Sequence, residues 1–333
     1  MYMALALVIL GGCCMAFQSP TNAELSKHVG NFPASAVSFS VGTIVLAIAT
    51  SIFGTGDVTQ AVNAQPWQLL GGLYGATIVV VITYAAPVLG IALTLTFSML
   101  GQLIFGTVID TFGLLGMPVA PVGPFRVAGC LAVAAGIFCV YAGKKTKKNP
   151  GEKSDSSGKQ PPKDKSGKSN KNKDKSEESQ NADGGKTALL ALLSFVAGAA
   201  AAVQAPTNNS LALLTGKIEA SLISFAGGML ILVIISFIKG HGHIIEYRKK
   251  GIRPWMLTGG LYGATFVFIS VIAIPKLGAA LIVAATMLGQ LAAGILVDCT
   301  GIMRAAKVKM NAARYTGVVL IAIGVIFVAY SKL

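Results

Sequence analysis

The sequence predicts an all-α integral membrane protein whose ten transmembrane helices form two inverted-topology five-helix repeats. Three observations carry that prediction: an extreme apolar composition, an internal duplication, and the placement of positive charge. Of the 333 residues, 53% are hydrophobic and only 12% are charged, with a mean hydropathy of +0.68. A soluble domain of this composition could not hydrate its exterior, so lipid is the expected solvent for most of the surface.

The duplication appears when the chain is slid along itself. Gln18-Ser-Pro-Thr-Asn22 falls on Gln204-Ala-Pro-Thr-Asn208, and Ser38-Phe39 on Ser224-Phe225, at a shift of 186. The shift then becomes 188, and Pro66-Trp67 meets Pro254-Trp255, Gly71-Gly-Leu-Tyr-Gly-Ala-Thr77 meets Gly259 to Thr265, and Leu100-Gly-Gln-Leu103 meets Leu288 to Leu291. Asp110, Gly113, Arg126 and Gly129 continue the series on Asp298, Gly301, Arg314 and Gly317. An ordered series of this kind marks a tandem duplication. The first repeat, 1–143, carries apolar runs at about 3–27, 34–53, 67–86, 90–112 and 122–142; the second, 187–333, carries them at about 187–212, 220–238, 254–274, 277–299 and 312–330. Each approaches the roughly 20 residues that cross a hydrocarbon core of about 30 Å. Because five is odd, the two repeats enter the membrane in opposite orientations.

Between them, 144–186 reads as a lysine-rich disordered linker. It holds thirteen of the 27 basic residues, with seven acids and no aromatic side chain. A nucleic-acid reader would interleave aromatics with those lysines, so the formal charge of +14 does not point to nucleic acid. The five cysteines, Cys13, Cys14, Cys130, Cys139 and Cys299, lie in apolar runs without metal-type spacing and read as packing residues. His28, His241 and His243 lie in loops without acid or cysteine company, so no metal and no cofactor is expected. The run Leu10-Gly11-Gly12-Cys13 resembles a lipoprotein cleavage site, yet no Lys or Arg precedes it and its segment recurs in mid-chain, so residues 1–28 are read as a mature helix.

Short cytoplasmic loops are enriched in Lys and Arg. A cytoplasmic linker puts both termini outside. Lys27, Lys239, Arg248, Lys249, Lys250, Arg253, Arg304, Lys307, Lys309 and Arg314 then lie inside, and only Arg126, Lys217, Lys276 and Lys332 outside. The loops 239–253 and 301–314 are cytoplasmic only if the second repeat is inverted, so charge and parity agree.

The Gln-x-Pro-x-Asn element of each first helix, the Pro-Trp then Gly-Gly-Leu-Tyr-Gly-Ala of the third, the Gly-Gln then Asp of the fourth and the Arg-x-x-Gly of the fifth together resemble the YdcZ-like branch of the drug/metabolite transporter superfamily. The resemblance covers both repeats and leaves out only the linker. Members look like single five-helix units, so this chain resembles a fused pair. It implies a multi-pass protein of the inner or plasma membrane that transports or exports a small solute.

Within the spans, Gln18 and Asn22 are four residues apart, about 40° around a helix, and Gln204 and Asn208 repeat the arrangement in the inverted repeat. Amides at lipid depth need partners or water, and inverted repeats place substrate at their mutual interface. These four are candidate substrate-binding residues, with helix-to-helix hydrogen bonding as the competing use. Pro20 and Pro206, between the amides, free carbonyls one turn earlier and favour a cavity. Gln102 and Gln290, beside Gly101 and Gly289, are the remaining substrate-binding candidates. Tyr84, Thr94, Ser98 and Thr286 could add hydroxyls, although single hydroxyls of this kind usually bond their own helix backbone.

Asp110 and Asp298 stand near helix C-termini, and Arg126 and Arg314 near helix N-termini, where the dipole disfavours each charge. Hairpins bring the members of each pair together, so Asp110–Arg126 and Asp298–Arg314 are expected as structural ion pairs. No carboxylate lies mid-span in the first helix, where cation exporters of related architecture carry a proton-coupling acid. Drug-cation/proton antiport is therefore not expected. Trp67 and Trp255 are interfacial anchors, and Gly129 with Gly136, and Gly317 with Gly324, make close-packing faces. No Ser/His/Asp or Cys/His grouping occurs in the spans, so an enzyme is not expected. The rival to a carrier is a non-transporting helical scaffold. The two differ in one respect: a carrier has a central polar cavity lined from both repeats, and a scaffold is sealed.

Overall fold

The computed structural model describes residues 2–117, 119, 123–145, 171–239, 251–305, 307 and 311–330, and among them every regular element is helical. The α-helices are α1 (Tyr2–Val29), α2 (Asn31–Phe53), α3 (Gly71–Leu89), α4 (Ile91–Phe112), α5 (Pro124–Lys145), α6 (Lys171–Thr215), α7 (Lys217–Ile238), α8 (Gly259–Thr300) and α9 (Ala312–Tyr330). Six stretches are long and apolar enough to cross a membrane: Met3–Val29, Asn31–Phe53, Pro66–Leu89, Leu93–Phe112, Gly185–Thr215 and Lys217–Ile238. Four shorter apolar stretches, Pro124–Val140, Gly259–Ser270, Ala285–Thr300 and Ala312–Phe327, match the other expected passes.

Single glycines set the reversals. Gly30 between α1 and α2 has φ 89°, and its repeat equivalent Gly216 between α6 and α7 has φ 100°. Only a residue without Cβ adopts this backbone cheaply, which is how two helices meet with one residue between them. Pro66-Trp67 and Pro254-Trp255 open short 3₁₀ turns ahead of α3 and α8, where a missing proline N–H costs nothing.

α8 departs from expectation in form: Gly259–Thr300 is one helical run of 42 residues, where the sequence predicts two spans. A straight helix of that length would extend about 63 Å, twice the hydrocarbon thickness. Its contacts show that it turns back. Gly259 and Gly263 meet Asn22 and Gln18, Gly289 meets Ile9 and Cys13, and Met303 just past the helix returns to Thr21. The chain therefore reverses between Gly263 and Gly289 and supplies both passes. Pro275 and Gly278, the equivalents of Pro87 and Gly90, fall within that reversal.

The repeats interlock. α1 packs on α8, and α6 packs on α3 and α4, so each first helix is held by the third and fourth segments of the other repeat. The contacts obey the duplication: Gly12 faces the Thr286 backbone as Gly198 faces that of Ser98, and Gly289 faces Ile9 as Gly101 faces Phe195. α2 packs on α7 around the stacked rings of Phe39 and Phe225, whose centroids are 5.0 Å apart. α5 packs on α9 through the predicted glycine faces. A Cβ on Gly136 would lie 2.5 Å from Gly317 O, and one on Gly324 would lie 2.5 Å from Gly129 O. Without a hydrophobic drive between helices in lipid, such backbone approach is what gains dispersion contact. The outward faces are apolar in both repeats: Ile44, Ile48 and Ile52 of α2 and their equivalents Leu230, Ile234 and Ile238 of α7 are all exposed.

Residues 146–170 of the predicted linker lie outside the described residues. Its last part is not irregular backbone: α6 begins at Lys171 and runs on into the apolar span. Lys, Glu and Gln are good helix formers, and the span that follows supplies the nucleus for extending a helix backwards.

Candidate functional site

Proline, amide and glycine positions converge on the axis between the repeats. Pro20 and Pro206 sit inside α1 and α6 and leave Ala16 O and Ala202 O without their usual donor four residues on. On the same two helices, Gln18 and Asn22, and Gln204 and Asn208, face a cavity of about 370 Å³. Gln102 of α4 and Gln290 of α8 border the same cavity, so one space gathers all six amides singled out in the sequence. Ser98 and Thr286 line it as well, whereas Thr94 donates to Gly90 O at 2.9 Å within its own helix and Tyr84 is 53% exposed on the exterior. The rest of the wall is mainly apolar and includes Val79, Ile82, Leu95, Phe266 and Val283.

The amides differ in what they bond. Gln204 Nε2 donates to Gly71 O at 3.0 Å, a bond between repeats of the kind that holds helices together. Asn22 and Asn208 are 1% and 8% exposed, and the Oδ1 of each has no hydrogen-bond partner among the described residues. Each Oδ1 instead lies against the glycine that opens a helix of the other repeat. A Cβ on Gly259 would overlap Asn22 Oδ1, and one on Gly71 would overlap Asn208 Oδ1. Ser38 Oγ and Ser224 Oγ stand beside these same glycines, also without described partners.

The cavity wall extends towards one membrane face, where it includes Asp110, Met117, Arg126 and Lys217. Arg126 Nη2 and Asp110 Oδ2 are 2.5 Å apart, with both side chains largely enclosed, so the first-repeat ion pair is present. In the second repeat Asp298 is buried, and Arg314 N–H donates to Asn311 Oδ1 at 3.0 Å. The pairing of Asp298 with Arg314 stands as an expectation from the repeat.

Two carboxylates went unnoticed in the sequence. Glu24, two residues past Asn22, is buried at the face opposite Lys217. Its Oε2 meets Lys27 Nζ at 2.6 Å and its Oε1 meets Arg304 Nη1 at 3.1 Å. One turn earlier, Thr21 Oγ1 lies 3.2 Å from Met303 Sδ. This closure joins α1 to the loop after α8, and none of Thr21, Glu24, Met303 and Arg304 is among the lining residues. The duplication does not repeat it, because Ser210 stands at the Glu24 position and Gly116 at the Arg304 position. A lone acid at the end of an otherwise apolar span was the available signal. Glu219, in the first turn of α7 and 2% exposed, accepts the Gly56 N–H at 2.8 Å and ties the loop after α2 to α7.

No curated protein matches the chain at a significant level. A family model described as "Putative inner membrane exporter, YdcZ" matches residues 3–139 and again residues 189–327, one match for each interlocked repeat. With both repeats matched and only the linker and short ends outside, the chain belongs to the YdcZ family of drug/metabolite transporters, as a fused pair of its five-helix units.

Proposed function

We propose that the protein carries a small solute across the inner membrane by alternating access around the cavity between its repeats, with Gln18, Asn22, Gln102, Gln204, Asn208 and Gln290 as the substrate-binding residues. Membership of an exporter family supports transport in general. The observation that carries the site is that Asn22 and Asn208, buried and on the cavity wall, leave hydrogen-bonding capacity unspent. Buried amides that served only to hold helices would be bonded across them, as Gln204 is. Neither carboxamide is committed to a hydrogen bond among the described residues, so each is available to a solute or water in the cavity.

The cavity's charged end lies at the start of α5 and the end of α6, so it faces away from the linker. With the linker cytoplasmic, as the loop charges indicate, this is the outward-facing state, and the Glu24–Arg304 closure is the inner gate. Solute counterflow in proteoliposomes tests the reading. Asn22→Ala and Asn208→Ala should each slow counterflow about 2- to 12-fold, the loss of one hydrogen bond of about 0.5–1.5 kcal/mol, at unchanged abundance. Normal counterflow in both variants, with loss of folded protein instead, would turn the amides into structural contacts and sink the site.

A further inference from the structure

The amide-lined part of the cavity is built from dipoles of both senses. A carboxamide carries one acceptor oxygen and two donor hydrogens, so six of them border the space with both kinds of group, whichever end each turns inwards. Gln204 spends Nε2 on Gly71 O and keeps Oε1 as an acceptor. Pro206 leaves Ala202 O without its usual donor, and Ala202 is on the same wall. Ser19 and Thr286 add hydroxyls, which also donate and accept. Both residues are buried on the cavity wall, and neither hydroxyl oxygen has a hydrogen-bond partner among the described residues.

Formal charge is confined to the mouth and balances there. Among the described lining residues the ionisable side chains are Asp110, Arg126 and Lys217. Asp110 and Arg126 are paired at 2.5 Å, and Lys217 shares the first turn of α7 with the buried carboxylate of Glu219. The two acids and two bases sum to zero. Asp110 stands eight residues beyond Gln102 on α4, a rise of about 12 Å, so this set does not reach the amides. A solute of either charge would have to shed its water among amides and hydroxyls without a counter-charge, and an uncompensated buried charge is strongly disfavoured. A neutral head that both donates and accepts exchanges its hydrogen bonds with water for equivalent ones on the wall.

We infer that the solute is uncharged, with a carboxamide-type head, donor and acceptor together, for the amide-lined space and an apolar body for the wall formed by Val79, Ile82, Leu95, Phe266 and Val283. This assignment rests on the carrier reading and narrows it.

Four probes that share one body and differ in the head test it: 3-phenylpropionamide, 3-phenylpropionate, 3-phenylpropylammonium and the headless propylbenzene. The readout, at neutral pH in proteoliposomes, is protection of a Ser19→Cys reporter on the cavity wall from alkylation by a small neutral maleimide, in a full-length chain whose five native cysteines are replaced. The amide should slow alkylation at a concentration at least tenfold below each of the other three. Its effect should be the same at low and high salt, since no charge attraction is there to be screened. Gln102→Glu sets a carboxylate of the same shape among the amides and should bring in protection by the ammonium; a Gln102→Glu protein that still binds the amide and excludes the ammonium would overturn charge as the basis of selection. Protection by either ion within tenfold of the amide in the parent protein would overturn the assignment and leave the cavity standing as a binding site. Protection by propylbenzene within tenfold of the amide would overturn the need for a head. Absence of protection by all four would overturn the assignment too, and the counterflow rates of Asn22→Ala and Asn208→Ala would then decide separately whether the carrier reading survives.

Discussion

Arg304→Ala is the sharpest test of the inner gate. Glu24 has a side chain only 6% exposed, while those of Arg304 and Lys27 are 50% and 56% exposed. A charge-assisted hydrogen bond contributes about 1.5–3 kcal/mol when enclosed, and an exposed ion pair about 0.2–1 kcal/mol. Half exposure of Arg304, and the continued presence of Lys27 beside Glu24, put the loss near 1 kcal/mol, towards the surface value. That shifts the balance between closed and open inner gates by about fivefold. Arg304 also sits at φ 60°, where its repeat equivalent is Gly116 at φ 75°. Arg304→Gly should therefore open the gate equally while relieving about 1 kcal/mol of backbone strain, so it should be the more stable of the two variants. Arg304→Lys should keep most of the closure. The assay is labelling of Ser19→Cys in the cysteine-replaced protein by an impermeant maleimide from the linker face, in inside-out vesicles. The rate should rise about fivefold in Arg304→Ala and in Glu24→Ala. An unchanged or slower rate in a folded Arg304→Ala protein would refute the gate.

Adjacent glycines of α7 give opposite expectations. A Cβ on Gly227 meets nothing within 4 Å, so Gly227→Ala should raise thermal stability by about 0.5–1 kcal/mol through helix propensity. One on Gly228 would overlap the Phe39 ring and lie 2.9 Å from Gly72 O, so Gly228→Ala should cost about 1–3 kcal/mol, read as a lower Tm. Asp110→Asn should lower stability by leaving the enclosed Arg126 without its counter-charge, with transport per folded molecule preserved; lost transport in a well-folded protein would instead mark Asp110 as a proton carrier. Ser157→Cys in the linker should resist impermeant maleimide added to intact cells, and ready labelling from outside would reverse the assigned orientation.

Much of the architecture was legible because membrane proteins are governed by few, strong rules. A backbone in lipid must be helical, which makes each apolar run a span, and an odd number of spans per repeat forces inversion. The six amides were legible for the same reason: a polar side chain at lipid depth is rare, and the duplication doubled the signal. What escaped were groups whose role depends on neighbours distant in sequence. Glu24 reads as an end-of-helix acid until Arg304, 280 positions away, is placed beside it. Lys217 reads as a loop charge until the end of α6 and the start of α5 bring it to the cavity mouth.

By itself the sequence determined the all-α membrane class, the pairing of segments by duplication and the six amides that border the cavity, since backbone and amide groups are costly to expose to hydrocarbon. It could not determine which repeat holds which helix. Only the tertiary structure decided that α1 is clasped by α8 and α6 by α3 and α4, because each close approach is set by glycine meeting backbone across the interface and leaves no periodic trace along the chain. The same packing decided the use of each amide. Gln204 and Asn208 share one helical face in the sequence, but Gly71 offers a carbonyl to the first and only close space to the second, so one amide is bonded and the Oδ1 of the other has no hydrogen-bond partner among the described residues.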